Sequence, residues 1–179
     1  MKYAIYGVLL SVLLTACAQD PSKTGDQSAD GKAGQNGAQT SGMAVNGVDG
    51  SLLKGNLSAP PKNVTGILAQ RVIYFDYDSS AIRSEFRAVL DAHATFVKAN
   101  PKAKLHLQGH TDERGSREYN VALGQRRADS VDKAMGLLGV DANRMEAVSF
   151  GEEKPAVEGH DEAAWSKNRR VEIRYDGEN

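Results

Sequence analysis

Between Ala18 and Gly66 the chain has no aromatic residue, and this gap most constrains what it can fold into. The stretch is rich in Gly, Ser, Ala, Gln and Asn, with scattered charges that nearly cancel. It offers too little apolar surface to offset the entropy of ordering a chain, so it reads as a flexible tether over residues 17–66. Its pieces 43–48 and 51–57 are weakly apolar and read as short docking segments at most. As Gly-rich coil the tether has an end-to-end distance of roughly 40 Å and a stretched reach on the order of 160 Å. A core must then be built from residues 67–179, a length that suits one domain.

The N-terminus reads as an address. Met1-Lys2 is a short charged start, and the apolar run at residues 4–14 is too short to span a bilayer comfortably. Leu14-Thr15-Ala16-Cys17 closes it, and Cys17 is the only cysteine in the chain, which excludes an internal disulfide and a cysteine-based structural metal site. The pattern resembles a bacterial lipobox. Residues 1–16 are then a lipoprotein signal peptide, and Cys17 carries an S-diacylglycerol and an N-acyl chain, enough for a stable anchor. An Asp after the cysteine usually holds such lipoproteins in the inner membrane. Ala18 stands there instead and implies transit to the outer membrane, with the chain anchored on its periplasmic face.

Within residues 67–179 the periodicities predict six main elements. Residues 71–75 are β-branched and aromatic and read as a strand. A helix near Ser84 puts Phe86, Val89, Leu90, His93, Phe96 and Val97 on one face and ends at Asn100-Pro101. Residues 104–109 alternate as a second strand, and a helix over 116–138 stops at Gly139. Residues 145–150 read as a third strand, 151–167 as a long loop holding Pro155, Gly159 and Trp165, and 170–175 as the last strand. The order β-α-β-α-β-β predicts an α+β domain with two helices on one face of a mixed sheet. Its first crossover is right-handed if its strands are parallel; strand order does not follow.

Tyr119, Leu123, Val131, Ala134, Leu137 and Leu138 fall on one stripe of the second helix, and Arg127 stands in its middle. A guanidinium there needs a carboxylate or a bound anion as partner. The preceding loop, Gly109-His110-Thr111-Asp112-Glu113-Arg114-Gly115, can bring Asp112 close. Acid and base then either face a shared pocket, which suits a zwitterionic ligand, or form an internal salt bridge holding loop to helix. Asp78, at a strand end, reads locally as a turn or cap residue. His110 has no second histidine at ligand spacing in its loop, so it reads as structural, and no metal or other cofactor is expected beyond the lipid on Cys17. Gly109 and Gly115 are explained by a tight loop, Trp165 by packing the long loop down, and Arg169 or Arg170 by bracing the loops around the pocket.

Other function classes find little support. A net charge of -1, with no basic excess, sets nucleic acid aside. No G-x-S-x-G or H-E-x-x-H pattern is present, and adjacent Asp112 and Glu113 are badly placed to flank one glycosidic bond. The chain reads as a binding module and not an enzyme.

The motifs Gly109-His110-Thr111-Asp112-Glu113-Arg114-Gly115-Ser116, Glu118-Tyr119-Asn120, Leu123-Gly124-Gln125-Arg126-Arg127-Ala128 and Asn168-Arg169-Arg170-Val171 resemble the OmpA-like peptidoglycan-binding domain. Tyr74-Phe75-Asp76, Leu90-Asp91-Ala92-His93-Ala94, Gly151-Glu152-Glu153-Lys154-Pro155-Ala156-Val157 and Gly159-His160-Asp161-Glu162-Ala163-Ala164, with the lipobox, narrow the resemblance to its lipoprotein branch. That resemblance implies binding of the peptidoglycan stem peptide through diaminopimelate. Asp112 would accept hydrogen bonds from its ammonium, Arg127 would grip its carboxylate, and Asp78 would add a third contact. Tyr77 and Ser79 would supply backbone and packing, Leu123 the pocket wall, and Thr111 and Asn120 polar support. Ser79-Ser80 departs from the Lys-Tyr pair that relatives tend to carry, so the rim around Asp78 should differ. The resemblance further implies a TolB-like periplasmic propeller protein as partner on an overlapping face, and a role in outer-membrane constriction during cell division.

Overall fold

The computed structural model describes residues 55–178. The expected signal peptide, the lipidated Cys17 and the tether upstream of Gly55 lie outside the described residues. The elements are β1 (Val72–Tyr74), α1 (Arg87–Ala99), β2 (Leu105–His110), α2 (Arg117–Leu137), β3 (Met145–Gly151), α3 (Glu162–Asn168) and β4 (Arg170–Tyr175). The strands form one mixed sheet in the order β1-β4-β2-β3. β4 runs antiparallel to both β1 and β2, and β2 pairs with β3 in parallel. The α+β expectation holds, and the unassigned strand order is resolved by the last strand inserting between the first two.

Strand alternation selects the covered face. Ile73 stands opposite Val171, Leu107 opposite Ile173 and Leu105 opposite Tyr175, and all six are buried. The helix α1 lays Val89, Leu90, His93, Phe96 and Val97 against this face, with the Phe96 ring edge-on to Tyr175 at 5.5 Å. Each fully buried aliphatic or aromatic side chain here contributes about 1.5–3 kcal/mol. The chain begins to pack before the expected boundary at residue 67. Ala59 and Val64 lie against the core, and the Leu57 N–H donates to Asn100 Oδ1 at 3.2 Å.

The buried stripe of α2 is Asn120, Leu123, Gly124, Arg127, Ala128, Val131 and Met135. Two residues expected on it are not: Tyr119 is 43% and Leu137 90% exposed. The stripe is turned toward Gly124 because α2 approaches the sheet more closely than a side chain allows. A Cβ on Gly109 would stand 2.0 Å from the Gly124 carbonyl oxygen, and one on Gly124 would stand 2.3 Å from Ser149 Oγ. Gly109 is thus a packing glycine as well as a neighbour of the loop. Gly139, at φ +88°, ends α2 as expected.

The loop expected over residues 151–167 contains a further helix, α3. Asp161 caps it, accepting from the Ala164 N–H at 2.9 Å, and Glu162 adds a favourable charge to the first turn. The capping signal was present in Asp161-Glu162-Ala163-Ala164, but seven residues are too few to show a helical period.

His93 is fully buried between Tyr175 and the main chain. The Gln70 carbonyl can only accept, so His93 Nε2 donates to it at 2.8 Å and Nδ1 accepts from the Tyr175 hydroxyl at 2.8 Å. Burial lowers its pKa to about 4.

Two outcomes follow from these contacts. Gly109→Ala forces main chain apart and should cost about 3 kcal/mol or more, read by chemical denaturation, while Gly124→Ala, whose Cβ meets the Ser149 hydroxyl, should cost less. The unfolded chain binds a proton at His93 below pH 6.5 while the fold resists it until about pH 4, so stability falls as pH drops through that window. The loss from His93 should be on the order of 3 kcal/mol, and the slope should roughly halve in His93→Gln, since His110 adds a similar loss over the same window.

Candidate functional site

A cleft forms where the ends of β1 and β2 meet the start of α2. The β2–β3 register slips between Gly109 and His110, so His110 lies opposite Gly151. The Thr111 N–H then donates to the Gly151 carbonyl at 2.9 Å, and the chain turns off the sheet toward Asp112. Ser116 caps α2, its hydroxyl accepting from the Tyr119 N–H at 3.2 Å. From the other side comes the turn after β1, where Asp78 takes the left-handed conformation at φ +50°. Its side chain is bonded by the Tyr119 hydroxyl, which fixes this turn to α2.

Arg127 joins the two loops. It is fully buried, and its partners are main-chain carbonyls, not the expected carboxylate. Nε donates to Ser79 at 2.8 Å, Nη1 to His110 at 2.9 Å and Nη2 to Asp76 at 3.0 Å. Carbonyl dipoles converging on one cation replace much of the hydration it lost. Burial still pulls its pKa down to about 10, with nearby Asp112 opposing, so the group remains charged at neutral pH. Three of the guanidinium's five N–H groups are used this way, leaving two without a protein acceptor among the described residues.

The internal Asp112–Arg127 salt bridge left open by the sequence is not the arrangement found. Asp112, 4% exposed, pairs with Arg114 at 2.8 Å and with Arg169 at 3.2 Å. Burial alone would raise its carboxyl; the hydrogen bonds from Arg114 and Arg169 outweigh that together and hold it below the ordinary carboxylate range. Arg169 braces the site as expected, donating also to the Phe75 carbonyl at 3.2 Å and to Glu162. Arg170 ties Glu172 to the Lys154 carbonyl, on the neighbouring loop. Arg114 lies between two rings, 4.1 Å from the centroid of Tyr77 and 4.1 Å from that of Trp165. Trp165 therefore supports a cation at the rim, and its Nε1 donates to Glu113 at 2.9 Å.

The cleft measures about 160 Å³ and brings together nearly every residue singled out from sequence: Tyr77, Asp78, Thr111, Asp112, Asn120, Leu123 and Arg127 line it. Ser79 does not line it; its carbonyl holds Arg127. Thr111 is buried, with a hydroxyl that has no protein partner among the described residues. Asn120 donates to Glu152 and so links α2 to the loop after β3. Sequence reasoning missed Arg114, Gly115 and Tyr119 as lining residues. Tyr119 had been assigned to the apolar stripe, where its ring fits the period; its hydroxyl reach to Asp78 carries no periodic signal. His110 stacks on Phe150 at 5.5 Å, and burial lowers its pKa to about 4, a structural neutral histidine. Among the described residues no group of three His, Cys, Asp or Glu is placed to hold a metal.

A profile of the OmpA family matches residues 74–169, which spans both loops, α2 and Arg169. The peptidoglycan-associated lipoprotein of Haemophilus influenzae is 55% identical over 103 residues, 58% of this chain and 67% of that one. That of Pseudomonas putida is 40% identical over 173 residues, covering 97% and 95%. The crystal structure of the peptidoglycan-associated lipoprotein from Burkholderia pseudomallei superposes with a TM-score of 0.63 at 48% identity, over 64% of this chain and 98% of that one. By these matches the chain belongs to the OmpA family and, within it, to the peptidoglycan-associated lipoproteins, a non-enzymatic structural group.

Proposed function

We propose that the chain is a lipid-anchored tether that binds peptidoglycan non-covalently through the diaminopimelate of the stem peptide. The observation that carries this reading is the pairing of opposite charges on one small cleft: Asp112 and Arg127 both line it, and both are almost wholly buried. The free end of diaminopimelate carries an ammonium and a carboxylate on one carbon. Asp112 is the acceptor for the first, and the two uncommitted N–H groups of Arg127 suit the second as a planar fork. Leu123 supplies an apolar wall, while Asp78 and Thr111 add acceptors at the rim. A cleft of about 160 Å³ takes one such end and not a whole disaccharide.

With the lipid on Cys17 in the outer membrane, many copies facing one polymer hold membrane to wall by avidity although each grip is weak. The names of the relatives support wall association. The remaining parts of the reading, a place in the Tol–Pal system, a TolB-like propeller competing for an overlapping face, and a part in outer-membrane constriction at division, rest on the resemblance.

The test is a pull-down on purified sacculi with residues 18–179, a chain that keeps the whole core from Ala59 to Tyr175. Asp112→Asn loses the charge and Arg127→Lys the fork, each with little change in side-chain volume. Each should lower binding about tenfold or more with circular dichroism unchanged. Equal binding by folded variants would remove the cleft from the mechanism, and soluble wall fragments released by the wild type would point to hydrolysis instead.

A further inference from the structure

Asp112 has no free acceptor position. Its Oδ1 accepts from the Arg114 main-chain N–H at 3.1 Å and from Arg114 Nε at 3.2 Å; its Oδ2 accepts from Arg114 Nη2 at 2.8 Å and from Arg169 Nη1 at 3.2 Å. A carboxylate offers about four lone-pair sites, so an incoming ammonium finds them all taken. One of the two arginines is fixed. Arg169 is 8% exposed in its side chain and is also bonded to Phe75 and Glu162.

Arg114 is the exchangeable one. Its side chain is 30% exposed, it lines the cleft, and its main hold apart from Asp112 is the pair of flanking rings. A second carboxylate already waits beside it, for Glu162 Oε2 stands 3.7 Å from Arg114 Nη2 and its side chain is 64% exposed.

We propose that Arg114 is an internal competitor for the ammonium of the ligand: it occupies Asp112 in the free protein and slides along the Tyr77–Trp165 pair toward Glu162 when a ligand cation arrives. This inference rests on the diaminopimelate reading of the cleft. Arg114 is a positioning residue in this scheme. It weakens every grip by the share of protein in which it sits on Asp112, and it keeps a buried acid neutralised when no wall is bound. Ligands without an ammonium cannot displace it, so the same residue selects for a zwitterion. Weak single grips let the protein release and rebind along a polymer, which suits a tether that must follow a growing wall.

The test titrates residues 18–179 with free meso-diaminopimelate, read by calorimetry and by fluorescence of Trp165, the only tryptophan in the chain. In the wild type, binding should shift the Trp165 emission as the guanidinium moves across its face. Arg114→Gln should bind about 3–10-fold more tightly and lose that shift, with Arg114→Lys in between. Glu162→Gln, which removes the receiving charge while its amide oxygen can still accept from Arg169, should bind about two- to threefold more weakly. It serves as the independent readout if Arg114→Gln melts early. Unchanged or weaker binding by a folded Arg114→Gln, or an unchanged Kd in Glu162→Gln, overturns the competitor. If the wild type binds and Arg127→Lys does not, that failure is confined to Arg114. Absence of any wild-type binding overturns the cleft reading as well.

Discussion

A single buried guanidinium holds the site in shape. The Arg127 side chain leaves α2 and ends on three carbonyls, two from the turn after β1 and one from the end of β2. The turn after β1 has no regular structure there, and the Ser79 and His110 carbonyls take their donor from this side chain. The cation supplies those donors at once, and the carbonyls supply it with a substitute for water. An apolar residue at this place would take this donor from the Ser79 and His110 carbonyls and leave Asp76 only the Ser79 N–H, at 3.3 Å. The arginine is therefore structural, and its five N–H groups exceed the three that the loops require.

Around this anchor the charges are nested. Arg127 sees Asp112 and Asp78 at a distance, Asp112 is gripped by Arg114 and Arg169, and Arg169 and Arg114 both reach Glu162. Alternating signs from the interior outward let two buried charges persist near each other, and the outermost member, Glu162, stands in solvent where ionisation is inexpensive. Specific geometry comes from the forks of the arginines, which fix angles as well as distances.

Much of this was legible along the chain. Strand alternation at Leu105 and Leu107, and again at Val171, Ile173 and Tyr175, showed which face would be covered. The oddity of Arg127 within an apolar period pointed to the cleft, and the family resemblance implied seven of the residues that line it. What stayed hidden shares a cause: it depends on partners far apart in sequence. The insertion of β4 between β1 and β2 is a choice of neighbours, not of local conformation. The partner of Arg127 is main chain, which no side-chain pattern announces. Arg114 looked like one more loop charge until Tyr77 and Trp165 closed on it from separate segments. Gly109 and Gly124 each passed as ordinary glycines; only their mutual contact across the helix–sheet interface explains both.

The N-terminal packing has a mechanical consequence. The chain enters the domain at Leu57, tied to Asn100 beyond the C-terminal end of α1, and then runs through Val64 and Leu68 into β1. The turn that follows β1 is the one stapled by Arg127. Tension applied from the N-terminal side and resisted at the cleft thus passes through the Leu57–Asn100 bond, the packed Val64 and Leu68 and β1, and reaches α2 by that staple. The hydrogen bonds between β1 and β4 lie across the pull and share it in shear, and the bond to Asn100 passes part of it to the end of α1. A domain strung in this way takes the pull first on one short edge of its sheet.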